Sequence, residues 1–215
     1  MASVVTSRAA AVVLCGGESR RMGTPKAWLD WDGEPLLSRV VRVVAEVAAP
    51  IVVVAAVDQV LPPLPAPVVA VRDRVGRRGP LEGLGTGLAA LDARATDAPW
   101  VLVVSTDAPW LAPEFLARLV ALAAADPSCD ALVPSVGGRR HPLCAVYGRR
   151  VATAVDELLA RGERRAMALL DVIATRLADE ATLLADPALA AADPQLRSLG
   201  NVNTRDDYEA ARRRL

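Results

Sequence analysis

With 215 residues and 53% hydrophobic content, the chain is long enough to bury one sizeable core, so a single domain is expected. Its 25 basic and 25 acidic residues cancel, which excludes a global basic field for nucleic acid or an acidic membrane; apolar stretches such as Pro50 to Val57 are also far shorter than the roughly 20 residues of a spanning helix. Cys15, Cys129 and Cys144 form neither a metal pattern nor an even disulfide set, which points to a reducing, cytoplasmic setting, and 3% aromatic content argues against a surface of stacked bases.

In chain order, Met1 to Arg8 lacks periodicity and is expected to be disordered, and the apolar run Ala10 to Leu14 reads as the first strand. Pro35 suits a first helical position, and Leu36, Leu37, Val40, Val41 and Val44 recur on one face of a helix expected over Pro35 to Ala48. Strands follow at Ile51 to Ala55 and Val68 to Val71, joined by a proline-rich stretch, Leu61 to Pro67, that reads as a stiff surface loop. A helix over Gly83 to Leu91, a strand over Trp100 to Val104, a helix over Pro113 to Ala125 and a strand over Asp130 to Val133 come next. Val151 to Arg161 has helical spacing, Gly162 to Met167 breaks it, and Asn203 to Arg213 closes the chain as a helix. Short Val-rich strands alternating with helices predict an α/β fold, a mostly parallel sheet covered on both faces in three α/β/α layers.

Directly behind the first strand stand Gly16, Gly17, Arg20, Arg21, Gly23 and Lys26. Adjacent glycines let backbone N–H groups approach phosphate oxygens, and the cations can close over the same group, so the segment reads as a triphosphate grip. Thr24 and Pro25 separate Gly23 from Lys26, which excludes a Walker A loop, and the glycine spacing excludes the dinucleotide fingerprint. The run before Cys15 is too short, and Leu14 too bulky, for a lipoprotein leader.

Open α/β sheets bind ligands at the carboxyl ends of their strands, which singles out Asp107 and Asp73. Asp107, in the turn-rich break Ser105 to Trp110, can hold Mg²⁺, which takes one or two protein carboxylates and shares substrate phosphates; the alternative is an Asx-turn ending the strand. Asp73 precedes a Gly-rich loop, Gly76 to Gly83, that either offers backbone groups to a base edge or simply turns the chain into the next helix. Trp28 and Trp31 read as packing for the phosphate loop rather than a stacking platform, and Arg212 to Arg214 as a solvated helix end.

From about Ala10 to Tyr208 the chain resembles the molybdenum cofactor guanylyltransferases, the MobA type, nucleotidyltransferases with a Rossmann-like (GT-A) fold. The resemblance rests on Leu14-Cys15-Gly16-Gly17, Ser19, Arg21-Met22-Gly23 and Lys26. It extends to Arg72-Asp73, Gly79-Pro80-Leu81-Glu82-Gly83-Leu84, His141-Pro142-Leu143, Ala145-Val146-Tyr147, Gly162-Glu163-Arg164-Arg165 and Asn201-Val202-Asn203-Thr204. It implies one nucleotidyltransferase domain over residues 9–215, nucleotide-binding to about residue 110 and acceptor-binding beyond.

The resemblance further implies that GTP meets Leu14, Cys15, Gly16, Gly17, Arg20, Lys26, Asp73, Gly79, Pro80, Leu81, Gly83 and Asp107, with Lys26, Asp107 and Arg21 catalytic and Asp107 the ligand of Mg²⁺ or Mn²⁺. His141, Pro142, Arg164, Arg165, Asn201 and Asn203 would face the acceptor, molybdopterin or Mo-molybdopterin. An Asn that many relatives carry after the second strand is absent, and Asp58 or Gln59 stands where it would be.

On this reading a terminal phosphate of the pterin attacks the α-phosphorus of GTP in line and pyrophosphate leaves. Both reactants are anionic, so positioning and charge neutralisation carry catalysis and no general base is needed. His141 is thus either a substrate-facing donor or a packed structural residue, and Arg164 and Arg165 either meet a substrate phosphate or belong to a plain helix-loop-helix turn. Chaperones of molybdoenzymes or other cofactor-biosynthesis proteins are conceivable partners; nucleic acid and membrane are not expected. The alternatives are transfer of CMP to the same pterin, transfer to another small phosphate, and a non-catalytic cofactor-delivery protein.

Overall fold

A computed structural model describes residues 9–16, 25–73, 79–94 and 96–213. At its centre lies β1 (Ala9–Leu14), buried along its whole length between β4 (Ile51–Ala55) and β6 (Trp100–Ser105), both parallel to it. Beyond β4 the sheet ends in β5 (Val69–Arg72), also parallel. On the other side β6 pairs with β9 (Cys144–Gly148), which is antiparallel to it and to β7 (Ala131–Val136), while β10 (Thr175–Ala178) closes the sheet parallel to β7. The reversal at β9 turns β7 back into the direction of β6. All six parallel strands therefore deliver their carboxyl ends to one edge, and the start of β9 lies at that same edge.

Alternation along β1 builds two cores. Ala9, Ala11 and Val13 face the side covered by α1 (Leu36–Ala45) and α3 (Pro113–Ala124), and Ala10, Val12 and Leu14 face α2 (Pro80–Asp92) and α4 (Ala152–Ala160). The expected three-layer α/β/α arrangement is therefore what the chain forms. Glycines set the seating of α2: a Cβ at Gly87 would lie 2.5 Å from Val12 Cγ1, one at Gly83 3.0 Å from Leu14 Cδ2. The helix thus lies closer to β1 than any side chain would permit.

Several boundaries differ from those read in the sequence. Pro35 does not open α1. It pairs with Asp30 in a small hairpin of β2 (Asp30–Trp31) and β3 (Glu34–Pro35), whose two-residue turn, Asp32 and Gly33, has φ of 54° and 84°. Helix α1 also stops at Ala45 rather than Ala48. Helix α2 starts at Pro80, not Gly83, because Gly79 at φ +79° supplies the turn and Pro80 fits the first helical position. Strand β7 runs to Val136, where it forms a ribbon with β8 (Arg139–Arg140). The break after α4 is a helix-loop-helix turn: Gly162 at φ +80°, then α5 (Ala166–Leu169). Two further short helices, α6 (Glu180–Leu184) and α7 (Pro187–Ala192), each begin at an aspartate whose side chain accepts from the first turn. Among the described residues no helix is long and apolar enough to cross a membrane. Met1 to Arg8, expected to be disordered, lies outside the described residues.

The carboxyl-terminal segment returns to the ligand edge. Ser198, fully buried, accepts from Ala112 N at 3.0 Å, and Val202 N donates to Asp107 O at 2.9 Å. Helix α8 (Arg205–Arg212) then starts on a capping box formed by Thr204 and Asp207. Trp31, only 1% exposed, packs edge-on against Trp110 at 5.6 Å and near Tyr208 at 6.2 Å, so the hairpin, the loop after β6 and α8 share one aromatic contact.

The close approach at Gly87 yields a stability prediction. Gly87→Val places methyls inside the Val12 side chain on a strand that cannot recede, which is expected to cost about 3 kcal/mol and lower the melting temperature by roughly 6–12 °C. In thermal melts of the single and double variants, Val12→Ala is expected to relieve part of that loss; strictly additive effects would show that this contact does not seat the helix.

Candidate active site

Lys26 opens a single 3₁₀ turn, Lys26–Trp28, whose middle residue Ala27 is buried in the core. Its Nζ donates to Asp107 Oδ2 at 3.1 Å and to Asn203 Oδ1 at 2.9 Å. Three segments far apart in the chain thus meet at one ammonium. Asp107 stands just beyond β6 in a half-buried turn, where its backbone carbonyl holds Val202, and its Oδ1 is buried with no hydrogen-bond partner among the described residues. Asn203 is locked in turn, since its backbone N–H donates to Asp207 Oδ2, the carboxylate that also caps α8.

The lysine and aspartate expected at the phosphates are thus side by side. Asn203, assigned by resemblance to the acceptor, instead lies against Lys26, while Asn201 is exposed at the start of the same segment. Gly17, Arg20 and Arg21 lie outside the described residues, as does Gly76 in the loop before α2. Cys15 N donates to Val54 O at 2.8 Å, and the Leu14 carbonyl receives both Thr106 N at 3.0 Å and Thr106 Oγ1 at 3.1 Å. These two backbone groups are committed to the sheet, so a ligand reaches them only by displacing those bonds. Thr106 sits inside the break that pointed to Asp107, but nothing in its local sequence marks it as the partner of Leu14.

On the far side of β1 lies a second group. Asp73 N donates to Ala55 O at 2.9 Å, and its carboxylate lies over two glycines, with Oδ2 3.4 Å from where a Gly16 Cβ would stand and Oδ1 3.7 Å from that of Gly83. A Cβ at either position would be in van der Waals contact with this carboxylate. Burial raises its pKa, and the nearby charge of Glu82 raises it further. Asp73 Oδ1 is buried without a hydrogen-bond partner among the described residues, an acceptor that a ligand's N–H or O–H would satisfy.

The Gly79–Leu81 turn docks on Arg164: Leu81 N donates to Arg164 O at 3.2 Å, and a Cβ on Gly79 would stand 2.6 Å from that oxygen. Arg164 thus contributes its backbone to the placement of Gly79, Pro80 and Leu81. The Arg165 guanidinium is held by Glu163, 2.8 Å from Oε2, and hydrogen bonds from Arg165 hold the Glu163 carboxyl down to about 2. The two arginines were paired in the sequence reading, and the structure gives them different surroundings.

Gln59, which stands near the missing Asn, has a defined place. Its Oε1 accepts from Ala56 N at 3.1 Å and its Nε2 donates to Cys15 Sγ at 3.4 Å. Arg72 clamps the same loop through Ala56 O at 3.2 Å and Gln59 O at 2.7 Å. Burial raises the Cys15 thiol pKa, so it stays protonated at neutral pH.

His141 and Pro142 connect β8 to β9 at the ligand edge. His141 N donates to Pro134 O at 2.9 Å, and Tyr147 OH donates to Pro142 O at 2.8 Å. Burial, then the Arg139 charge, lowers the imidazole pKa, so the ring is neutral near pH 7. Cys144, paired across the sheet with Val104, is pushed up to about 12 by burial and secondarily by the charge of Asp107, which places the His141–Cys144 turn within electrostatic reach of the Lys26 cluster. Trp28 is 41% exposed and Trp31 buried against Trp110 and Tyr208; most of the phosphate loop they were expected to pack lies outside the described residues. At the helix end Arg212 lies 3.5 Å from Asp30 and over the Tyr208 ring, as a solvated terminus would.

The arrangement places a cation and carboxylate on the β6 side of β1 and a half-buried carboxylate beside a Gly-rich helix start on the β5 side, all at the carboxyl edge of the parallel strands. Comparison with known proteins gives the family. The family model described as MobA-like NTP transferase domain matches residues 11–180. A probable molybdenum cofactor guanylyltransferase of Mycobacterium ulcerans is 37% identical over 206 residues, covering 94% of this chain and 92% of that protein. A protein of the same description from Mycobacterium tuberculosis is 40% identical over 164 residues, 75% of this chain and 79% of its own length. Among solved structures, molybdopterin-guanine dinucleotide biosynthesis protein A from Archaeoglobus fulgidus has the same fold, with a TM-score of 0.70 at 23% identity over 94% of this chain and 96% of that one. With a family model spanning most of its length and a relative aligned over nearly all of it, the chain belongs to the MobA-like NTP transferase family, which are nucleotidyltransferases.

Proposed function

We propose that the chain transfers GMP from GTP to the terminal phosphate of molybdopterin or Mo-molybdopterin, releasing pyrophosphate and forming the guanine dinucleotide of the cofactor. The observation that carries this reading is the Lys26–Asp107–Asn203 cluster at the carboxyl edge of β1 and β6. The names of the mycobacterial relatives support the choice of base and acceptor. The part of the chain up to about residue 110 holds the nucleotide, with Asp73 and the Gly79–Gly83 turn toward guanosine; the remainder, including the His141–Pro142 turn, holds the acceptor.

Asp107 fits a Mg²⁺ or Mn²⁺ ion: it offers hard oxygen ligands, and its buried Oδ1 is unsatisfied among the described residues. Among those residues no group of three or more His, Cys, Asp or Glu side chains could hold a metal, so the remaining ligands would be substrate phosphates and water. Bound there, the ion would supply positive charge to the phosphates. The protein's own contribution is orientation. Asp107 Oδ2 and Asn203 Oδ1 orient the Lys26 ammonium, which on this reading meets phosphate oxygens and offsets charge on the departing pyrophosphate. The attacking phosphate is already ionised at neutral pH, so no proton has to be removed, in keeping with a neutral His141.

Pyrophosphate release is expected with GTP, Mg²⁺ and molybdopterin together, and not with CTP, ATP or UTP; preference for CTP would overturn the base assignment, and nucleotide binding without turnover would overturn the enzyme or its acceptor. Steady-state kinetics on variants test the cluster. Lys26→Ala and Asp107→Asn are each expected to lower kcat by about 10²–10³-fold, the range for loss of one charge-stabilising group. Asn203→Ala, which removes only a tether of Lys26, is expected to cost about tenfold; full activity in Asp107→Asn would remove that residue from the mechanism.

A further inference from the structure

The Lys26 turn is a single 3₁₀ turn with no side-chain cap, anchored in the core through Ala27. In a turn this short, the orientation of the backbone sets where Lys26 Nζ points. On its exposed side stands Trp28, a large aromatic that leaves 41% of its surface in water. Its burial alone explains little of its presence. What it supplies is a directed bond: Nε1 donates to Val60 O at 2.9 Å.

Val60 lies on the loop after β4, beside Gln59, the residue whose carbonyl and side chain are bonded in different directions. Arg72, the last residue of β5, donates to Gln59 O and Ala56 O, and Gln59 itself reaches Ala56 N and Cys15 Sγ. The loop is thus fixed to β5 and to the residue following β1 through Ala56 and Gln59, directly before Val60. The contacts form a continuous relay from the end of β5, through the Ala56–Val60 loop and the Trp28 indole, to the turn that carries Lys26.

We propose that Trp28 is a positioning residue for Lys26: its indole N–H, held on the Val60 carbonyl, sets the angle at which the Lys26 ammonium meets the substrate phosphates. The proposal rests on the phosphate role of Lys26 given above. It also assigns to the Ala56–Val60 loop a task beyond any contact with the nucleoside, since the loop joins the base side of the site to its phosphate side.

The test is a double-mutant cycle read by calorimetric binding of Mg·pyrophosphate, a ligand that depends on neither base nor acceptor. Trp28→Phe keeps an aromatic ring while removing the donor and the second ring of the indole. It is expected to weaken pyrophosphate binding about five- to tenfold, while Lys26→Ala weakens it further and Trp28→Phe has no additional effect in the Lys26→Ala background. Arg72→Met, which frees the loop from its opposite end, is expected to weaken binding in the same Lys26-dependent way and decides the matter if thermal melts show Trp28→Phe to be misfolded. Wild-type affinity in Trp28→Phe, or an equal loss with and without Lys26, would overturn the proposal while leaving the phosphate role of Lys26 intact. Unchanged binding in Lys26→Ala would remove that phosphate role and the proposal together.

Discussion

The Lys26–Asp107 ion pair is the contact on which the site depends. Its two side chains are mostly shielded, 24% and 15% exposed, and charges so placed must be paired and hydrogen-bonded to be tolerated. The pair meets that demand with a third group, Asn203, and each partner is held by an element of different origin: Lys26 by a turn rooted in the α1-side core, Asp107 by the end of β6, Asn203 by the cap of α8. The pairing brings the amino-terminal third and the last turns of the chain together at one half-buried charge pair.

That convergence is geometrically possible because of β9. A sheet built only from right-handed parallel crossovers would leave the second half of the chain to extend the sheet at one side. Instead β9 enters antiparallel between β6 and β7, so β7 and β10 again point their carboxyl ends to the ligand edge and the His141–Cys144 turn begins there. The carboxyl-terminal segment then crosses back beneath the loop after β6, pinned by Ser198 on Ala112 and by Val202 on Asp107. The aromatic contact of Trp31 with Trp110 and Tyr208 holds the same three regions together on their outer side.

Much of the frame was legible because β1, β4 and β6 are continuous apolar runs, as strands buried on both faces must be, and because Pro113 marks the start of α3. Asp107 and Asp73 were legible from their position after such runs. What escaped was non-local or masked by a competing local signal. Strand β9 was not marked as a strand by its sequence and is set by its pairings with β6 and β7. The Asp32-Gly33 turn carried a hairpin signal, but Pro35 also suits a helix start, and the hairpin prevailed because Pro35 pairs with Asp30. The helix start at Pro80 was hidden because Gly76 to Gly83 reads as one Gly-rich loop, whereas the structure places Gly83 inside the helix, close against Leu14. The bond of Asn203 to Lys26 spans 177 positions, and no local pattern encodes it.

On the proposed function, chemistry and base choice occupy different parts of this architecture. Lys26, Asp107 and Asn203 belong to the β6 side of β1, whereas Asp73, Gly79 and Gly83 belong to β5 and α2, on its other side. Among the described residues the two groups are joined by β1 itself and by the Ala56–Val60 loop that ties Cys15 to Arg72 and reaches Trp28. Substitutions around α2 can therefore change which base is accepted while the phosphate site keeps its form. The opposite does not hold for the connecting loop: because it is bonded to both sides, altering it to suit another base also shifts the turn beneath Lys26, so a change of nucleotide that leaves turnover intact has to be made at Asp73 or in the Gly79–Gly83 turn rather than at Gln59.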